Sequence, residues 1–206
     1  MHYAHSALLV WNIAGAESHA GHATEIEPVH LMLGLCKLCD VSPAHLDDRV
    51  FQGSMSLREE FEHDLKTLQY LFEQIHIPPT SFRRRLRALA KKDGPSPTGH
   101  STIHRSADCR VLFKRAEQLM QQQGGTSHPI RAHHLGLACL ERDQTPWTVL
   151  YQEFDVQEVL EKARQAGLWS LLDGRTTGAP ASGPSESAAS PQSRLLRPIS
   201  IALGEI

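Results

Sequence analysis

At 206 residues, with 40% hydrophobic and 21% charged side chains, the chain suits one compact domain with ragged ends and can bury a core. Lys+Arg 21 against Asp+Glu 23 leaves a net charge of −2, which excludes a global field drawing it to nucleic acid or an anionic membrane. No apolar run approaches the roughly 18 residues of a membrane span, and the start MHYAHSALLVWNIAGAE lacks a secretory pattern, so a cytoplasmic protein without a membrane partner is expected. Cys36, Cys39, Cys109 and Cys139 are scattered through apolar helical patterns rather than arranged as a disulfide framework, and reduced thiols are expected.

In chain order, Ala7, Val10, Trp11 and Ala14 keep the spacing of one helix face until Gly21 breaks it. Pro28 suits a first helical turn, and LMLGLCKLC after it is apolar on nearly every face, as a central helix requires. Leu57, Phe61, Leu65, Leu68, Leu71, Phe72 and Ile75 predict a third helix, with Glu59, Glu60, Glu62 and Asp64 crowding its first turns. Pro78-Pro79 ends it, and Thr80 or Ser81 can cap a basic helix through Phe82, Leu86, Leu89 and Ala90.

DGPSPTG (93–99) predicts a linker. Beyond it a helix from about Ser106 carries Leu112, Ala116 and Leu119 and stops at Gly124-Gly125. A short apolar helix then runs through His134 to Leu140, Pro146 can start a third, and a fourth runs from about Asp155 towards Leu172. Residues 173–206 form a tail rich in Gly, Ala, Ser and Pro, expected to be disordered, whose end RLLRPISIALGEI turns apolar and alternates like a strand.

The two halves share residues as well as order. Ile26, His30, Leu31, Leu33 and Gly34 fall on Ile130, His134, Leu135, Leu137 and Ala138 at a constant offset. Downstream, Leu71-x-x-x-Ile75-His-Ile77 resembles Leu150-x-x-x-Phe154-Asp-Val156. The expected architecture is all-α: a first repeat over 1–92 with an insertion or extended helix at about 41–66, a linker over 93–104, and a second repeat over 105–172.

On these residues the chain resembles the double Clp N-terminal domain, the Clp repeat domain at the front of ClpA, ClpC and ClpB type unfoldases. Gly21-His22, Ile26 and His30-Leu31-Met32-Leu33-Gly34-Leu35 match that family's repeat, and Thr102-Ile103-His104, Ile130, His134-Leu135 and Leu137 match it again. The resemblance implies an eight-helix, pseudo-symmetric module of two four-helix repeats that docks adaptors or substrate proteins for a ring ATPase. No G-x-x-x-x-G-K-[ST] loop accompanies it, so the chain is expected to bind but not unfold. In the ClpC branch, a Glu before the motif's His and a Thr at the first helix read phosphoarginine; here Val29 and His133 replace the Glu, and Ser106 alone keeps a hydroxyl. Loss of phosphoarginine docking is expected. Val29, His30, Ser106, His133 and His134 are the candidate protein-binding residues.

Other constellations read as structural. Cys36-Lys-Leu-Cys39 has no second ligand pair, and Cys36 falls opposite Leu140, so buried thiols are expected rather than a metal or redox site. His2/His5 lies at a fraying terminus and His19/His22 straddles a helix end, while His30 and His134 are read as satisfying nearby backbone groups. The run from Arg83 to Lys92 reads as a solvated helix face paired with the acids at 59–64 rather than a nucleic-acid site. No G-x-S-x-G, H-E-x-x-H or dinucleotide loop is present. The expectation is a protein-binding module with no enzyme activity, cofactor, metal or small-molecule substrate, its partner a Clp ATPase, adaptor or client polypeptide. The alternative is the same fold reused as a scaffold or regulatory protein unrelated to proteolysis.

Overall fold

The computed structural model describes residues 2–42, 51, 53–91, 103–124, 128–142 and 145–172. The predicted linker, except for its last two residues, the tail over 173–206, and residues 43–50 of the insertion lie outside them. The described residues are mostly helical, with eight α-helices and two strands of two residues each. No helix among them is long and apolar enough to cross a membrane.

Helix α1 (His5–Ala20) buries Ala7, Val10 and Ala14 as their spacing demands and ends at Gly21. His22, at φ 58°, closes a left-handed cap in which Ala23 N donates to Ser18 O at 2.9 Å. Helix α2 (Pro28–Cys39) starts on its proline and buries ten of its twelve residues, including Leu33, so it is the central helix the apolar run predicts. It lies against α1 so closely that a Cβ on Gly34 would stand 2.7 Å from the Val10 carbonyl oxygen.

Helix α3 (Met55–Gln74) begins earlier than its apolar pattern suggests, because Ser54 caps it through a bond from Leu57 N at 3.4 Å. Its first turn is therefore free of acids, contrary to the sequence expectation, and Glu59 and Glu60 fall in the second. Helix α4 (Pro79–Ala90) likewise begins at the second proline, with Pro78 as an N-cap lacking any side-chain bond. Thr80 and Ser81 are not its caps; Thr80 Oγ1 reaches Asp40 Oδ1 at 3.0 Å instead.

Helix α5 (Ala107–Gly124) is capped by Ser106, whose Oγ accepts from Cys109 N at 3.2 Å. Helix α6 (Ala132–Glu141) is buried along nearly its full length. Helix α7 (Thr148–Glu153) starts two residues after Pro146, which sits in the preceding turn. The predicted last helix is two pieces, α8 (Gln157–Ala166) and a 3-10 helix (Leu168–Leu172), because Gly167 takes φ 90° between them.

The two halves exchange their leading segments. Strand β1 (Glu25–Ile26), which leads into α2, pairs in parallel with β2 (His104–Arg105), which leads into α5. Tyr3, ahead of α1, forms the corresponding bridge to Ile130, ahead of α6. Ile26 O accepts from Ser106 N at 3.1 Å and Ile130 O from Ala4 N at 2.9 Å. Ile130 N also donates to His2 O, so the terminus expected to fray is held by main-chain bonds.

Side chains reinforce the crossing. Ser6 Oγ donates to Asp64 Oδ2 at 2.6 Å and accepts from Ala132 N at 3.2 Å, and Arg131 reaches Asp64 at 2.5 Å and Glu60 at 2.8 Å. One apolar core runs through both halves, from Val10 and Leu33 to Leu137, Trp147 and Leu160.

Candidate functional site

The five residues singled out in the sequence are all buried, with exposures of 4% for Val29, 0% for His30, 8% for Ser106, 4% for His133 and 1% for His134. His30 Nδ1 accepts from Glu27 N and His134 Nδ1 from Arg131 N, both at 2.9 Å, so each ring closes the first turn of its own helix. His134 Nε2 faces Gln123 Oε1 at 3.0 Å, which fixes the neutral tautomer protonated on Nε2. Burial and the nearby Arg131 charge push its pKa down to about 3.

His133 differs. Neither ring nitrogen has a hydrogen-bond partner, and the ring lies 4.2 Å from that of His134 and 6.2 Å from Trp169, whose Nε1 is also unpartnered. Burial above all, then the charges of His134, Arg131 and His63, hold His133 well below the ordinary histidine range.

Val29 and Ser106, from different halves, line one groove. It has a volume of about 340 Å³ and opens where the first turns of α2 and α5 meet beside β1. Glu25, Glu27 and Asp108 supply carboxylates, Arg142 a guanidinium 3.1 Å from Asp108, and Pro28, Val29 and Pro146 an apolar lining. Ser106 Oγ is occupied as the α5 cap, so it is held as an acceptor rather than presented to a base. Carboxylates, one cation and an apolar wall at the mouth of two helices make a surface that can offer hydrogen bonds, charge pairing and apolar contact.

His30, His133 and His134 face the interior and are not brought into this groove. The residues that the sequence reading missed are Glu25, Glu27, Asp108, Arg142 and Thr145, which become neighbours only through the β1–β2 crossing. The Ser6, Asp64 and Arg131 cluster was missed too, although Asp64 lies on the apolar stripe of α3 between Phe61 and Leu68 and is fully buried.

The basic helix α4 is largely answered from within. Arg83 pairs with Asp40, Arg85 with Glu153 and Arg87 with Glu17. These are not the acids at 59–64 expected from sequence; Glu60 and Asp64 bind Arg131 instead. The four thiols are free and buried, and burial raises each pKa, that of Cys109 to about 12, which suppresses the thiolate that nucleophilic or metal chemistry needs. Among the described residues no three His, Cys, Asp or Glu side chains converge as a metal site would require.

Compared with protein-family models, with curated proteins and with solved structures, the chain finds a match in none of the three.

Proposed function

We propose that the chain is a non-catalytic protein-docking module of the Clp N-terminal kind, two diverged four-helix copies presenting the groove at their junction to an adaptor or client polypeptide of a Clp unfoldase. The supporting observation is that local geometry recurs at the residues the internal alignment pairs. His30 and His134 make the same cap at the same 2.9 Å. His76 and Asp155 take the same left-handed backbone, φ 56° and 55°, after α3 and α7. Ile26 and Ile130 each accept a bond from the segment ahead of the other copy's first helix.

The copies differ where the alignment differs. The α3 helix is the extended element of copy one, twenty residues against six for α7. Val29 brings no carboxylate to the groove, so a guanidinium-bearing phosphate has nothing there to pair with from that position, and ordinary polypeptide is the better ligand. That same substitution favours a second reading, in which the module is a scaffold whose partners lie outside proteolysis.

A photo-crosslinking residue placed at Thr145, in the groove, and at Gln165, outside it, separates docking from chance contact. Covalent capture of a discrete polypeptide at Thr145 but not at Gln165 supports the reading. Equal labelling at both positions, or none, overturns it.

A further inference from the structure

A second cavity, of about 480 Å³, lies at the C-terminal ends of α1, α2 and α4, lined by residues none of which borders the groove. Small residues make it concave: Ala16, Ala20 and Gly21 from α1, and Ala90 from α4. A Cβ on Gly21 would stand in ordinary van der Waals contact with α4, 3.5 Å from the Ala90 carbonyl oxygen. Buried Leu33 contributes the floor.

The charges around it are unequal. Glu17 is held at both oxygens by Arg87, at 2.9 and 2.5 Å, and is neutralised. Arg83 and Arg85 have carboxylate partners elsewhere, whereas Lys37 and Lys91, both lining the cavity, have none among the described residues. These lysines suit the carbonyl ends of α2 and α4, yet each ammonium carries three donors and retains some for a ligand. The third polar group is His22. Its Nδ1 is a buried atom with essentially no accessible surface, so that nitrogen is not presented to a ligand, and the left-handed cap after α1 fixes its backbone.

Two cations without ion-pair partners among the described residues, around a small apolar floor, call for an anionic ligand with apolar spacing between its charges. We infer that this cavity takes an acidic segment of a partner polypeptide, with its carboxylates on Lys37 and Lys91. The inference rests on the protein-docking reading only in taking the ligand to be polypeptide.

The probe is a short fluorescein-labelled peptide of alternating Glu and Ala, titrated with the full chain at low salt and followed by polarisation. Binding is expected, weakened by added salt, and roughly tenfold or more weaker in K37E/K91E. That double variant should instead take up a Lys-Ala peptide. Neither lysine has an ion-pair partner among the described residues to lose, and circular dichroism checks that the variant stays folded.

No binding by the native chain, or equal binding by K37E/K91E, overturns the assignment. So does a single-stranded oligonucleotide that binds equally tightly through the same lysines, which would mark a general polyanion site. Ala107→Trp, which fills the groove, should leave peptide binding unchanged; if it abolishes binding, the peptide sits in the groove and the cavity assignment falls. Lysine-dependent binding together with failure of crosslinking at Thr145 would remove the groove reading and leave this one standing.

Discussion

Asp64 has no exposed surface, yet it carries bonds from Ser6 and Arg131 that join α1, α3 and the start of α6. Burial raises its pKa despite the Arg131 charge beside it, so its ionised form is held at a cost that the surrounding donors must offset. Removing one partner of such a pair leaves the other uncompensated. Asp64→Ala is expected to lose about 3 kcal/mol of stability in urea unfolding, and a loss below about 1 kcal/mol would mean the cluster is incidental. The histidines give a pH signature. His133 and His134 are held below the ordinary 6.5, so as pH falls beneath that value the unfolded chain binds protons the native chain refuses, and stability drops. For His134 the loss continues towards pH 3, at roughly 1.4 kcal/mol per unit for each ring. His133→Phe should remove about half of that slope, since it deletes one titration while keeping an aromatic ring at the site. An unchanged slope would mean that burial of His133 is not its source. The cap made by His30 and His134 was legible in the sequence, because a histidine two residues into each apolar run needs a partner for its ring. Asp64 was legible in principle as a carboxylate on an apolar stripe, but three neighbouring acids disguised it as part of a solvated turn.

At the scale of elements, the tightest packing is between α1 and α2, and it depends on Gly34. A methyl group there would meet backbone, which cannot rotate away, so Gly34→Ala is expected to cost about 1 to 3 kcal/mol in thermal or urea unfolding. The aligned position in α6 is already alanine and fully buried, so Ala138→Gly should cost only about 1 kcal/mol, from helix propensity and lost packing. Similar losses at both sites would argue that the two helix pairs are packed alike. Leu33→Asp and Leu137→Asp each place an unpaired charge in the core and should abolish cooperative folding, read as loss of the thermal transition. Helix existence and order followed from apolar spacing. Helix starts did not: Ser54, Pro79 and Trp147 each moved a boundary, because caps and proline geometry act locally and leave no periodic trace.

At the scale of the molecule, the halves are interlocked by two parallel bridges, the Ser6 to Arg131 cluster and one continuous core. They should therefore unfold together, with Trp11 fluorescence and Trp147 fluorescence reporting coincident transitions in single-tryptophan variants. No sequence period announces such a crossing, since it brings together segments about eighty residues apart near Ile26 and more than a hundred apart near Tyr3. That is why Val29 and Ser106 could be nominated from the family resemblance while their groove neighbours could not. The groove is also where the functional claim stands or falls. The most direct test is affinity purification of the native full chain and of Ala107→Trp from a native cell extract, compared by mass spectrometry. Recovery of a Clp ATPase, its peptidase or unfolded clients with the native chain, and their loss with Ala107→Trp, is the predicted result. Recovery of an unrelated complex, or of the same partners with both proteins, would contradict it.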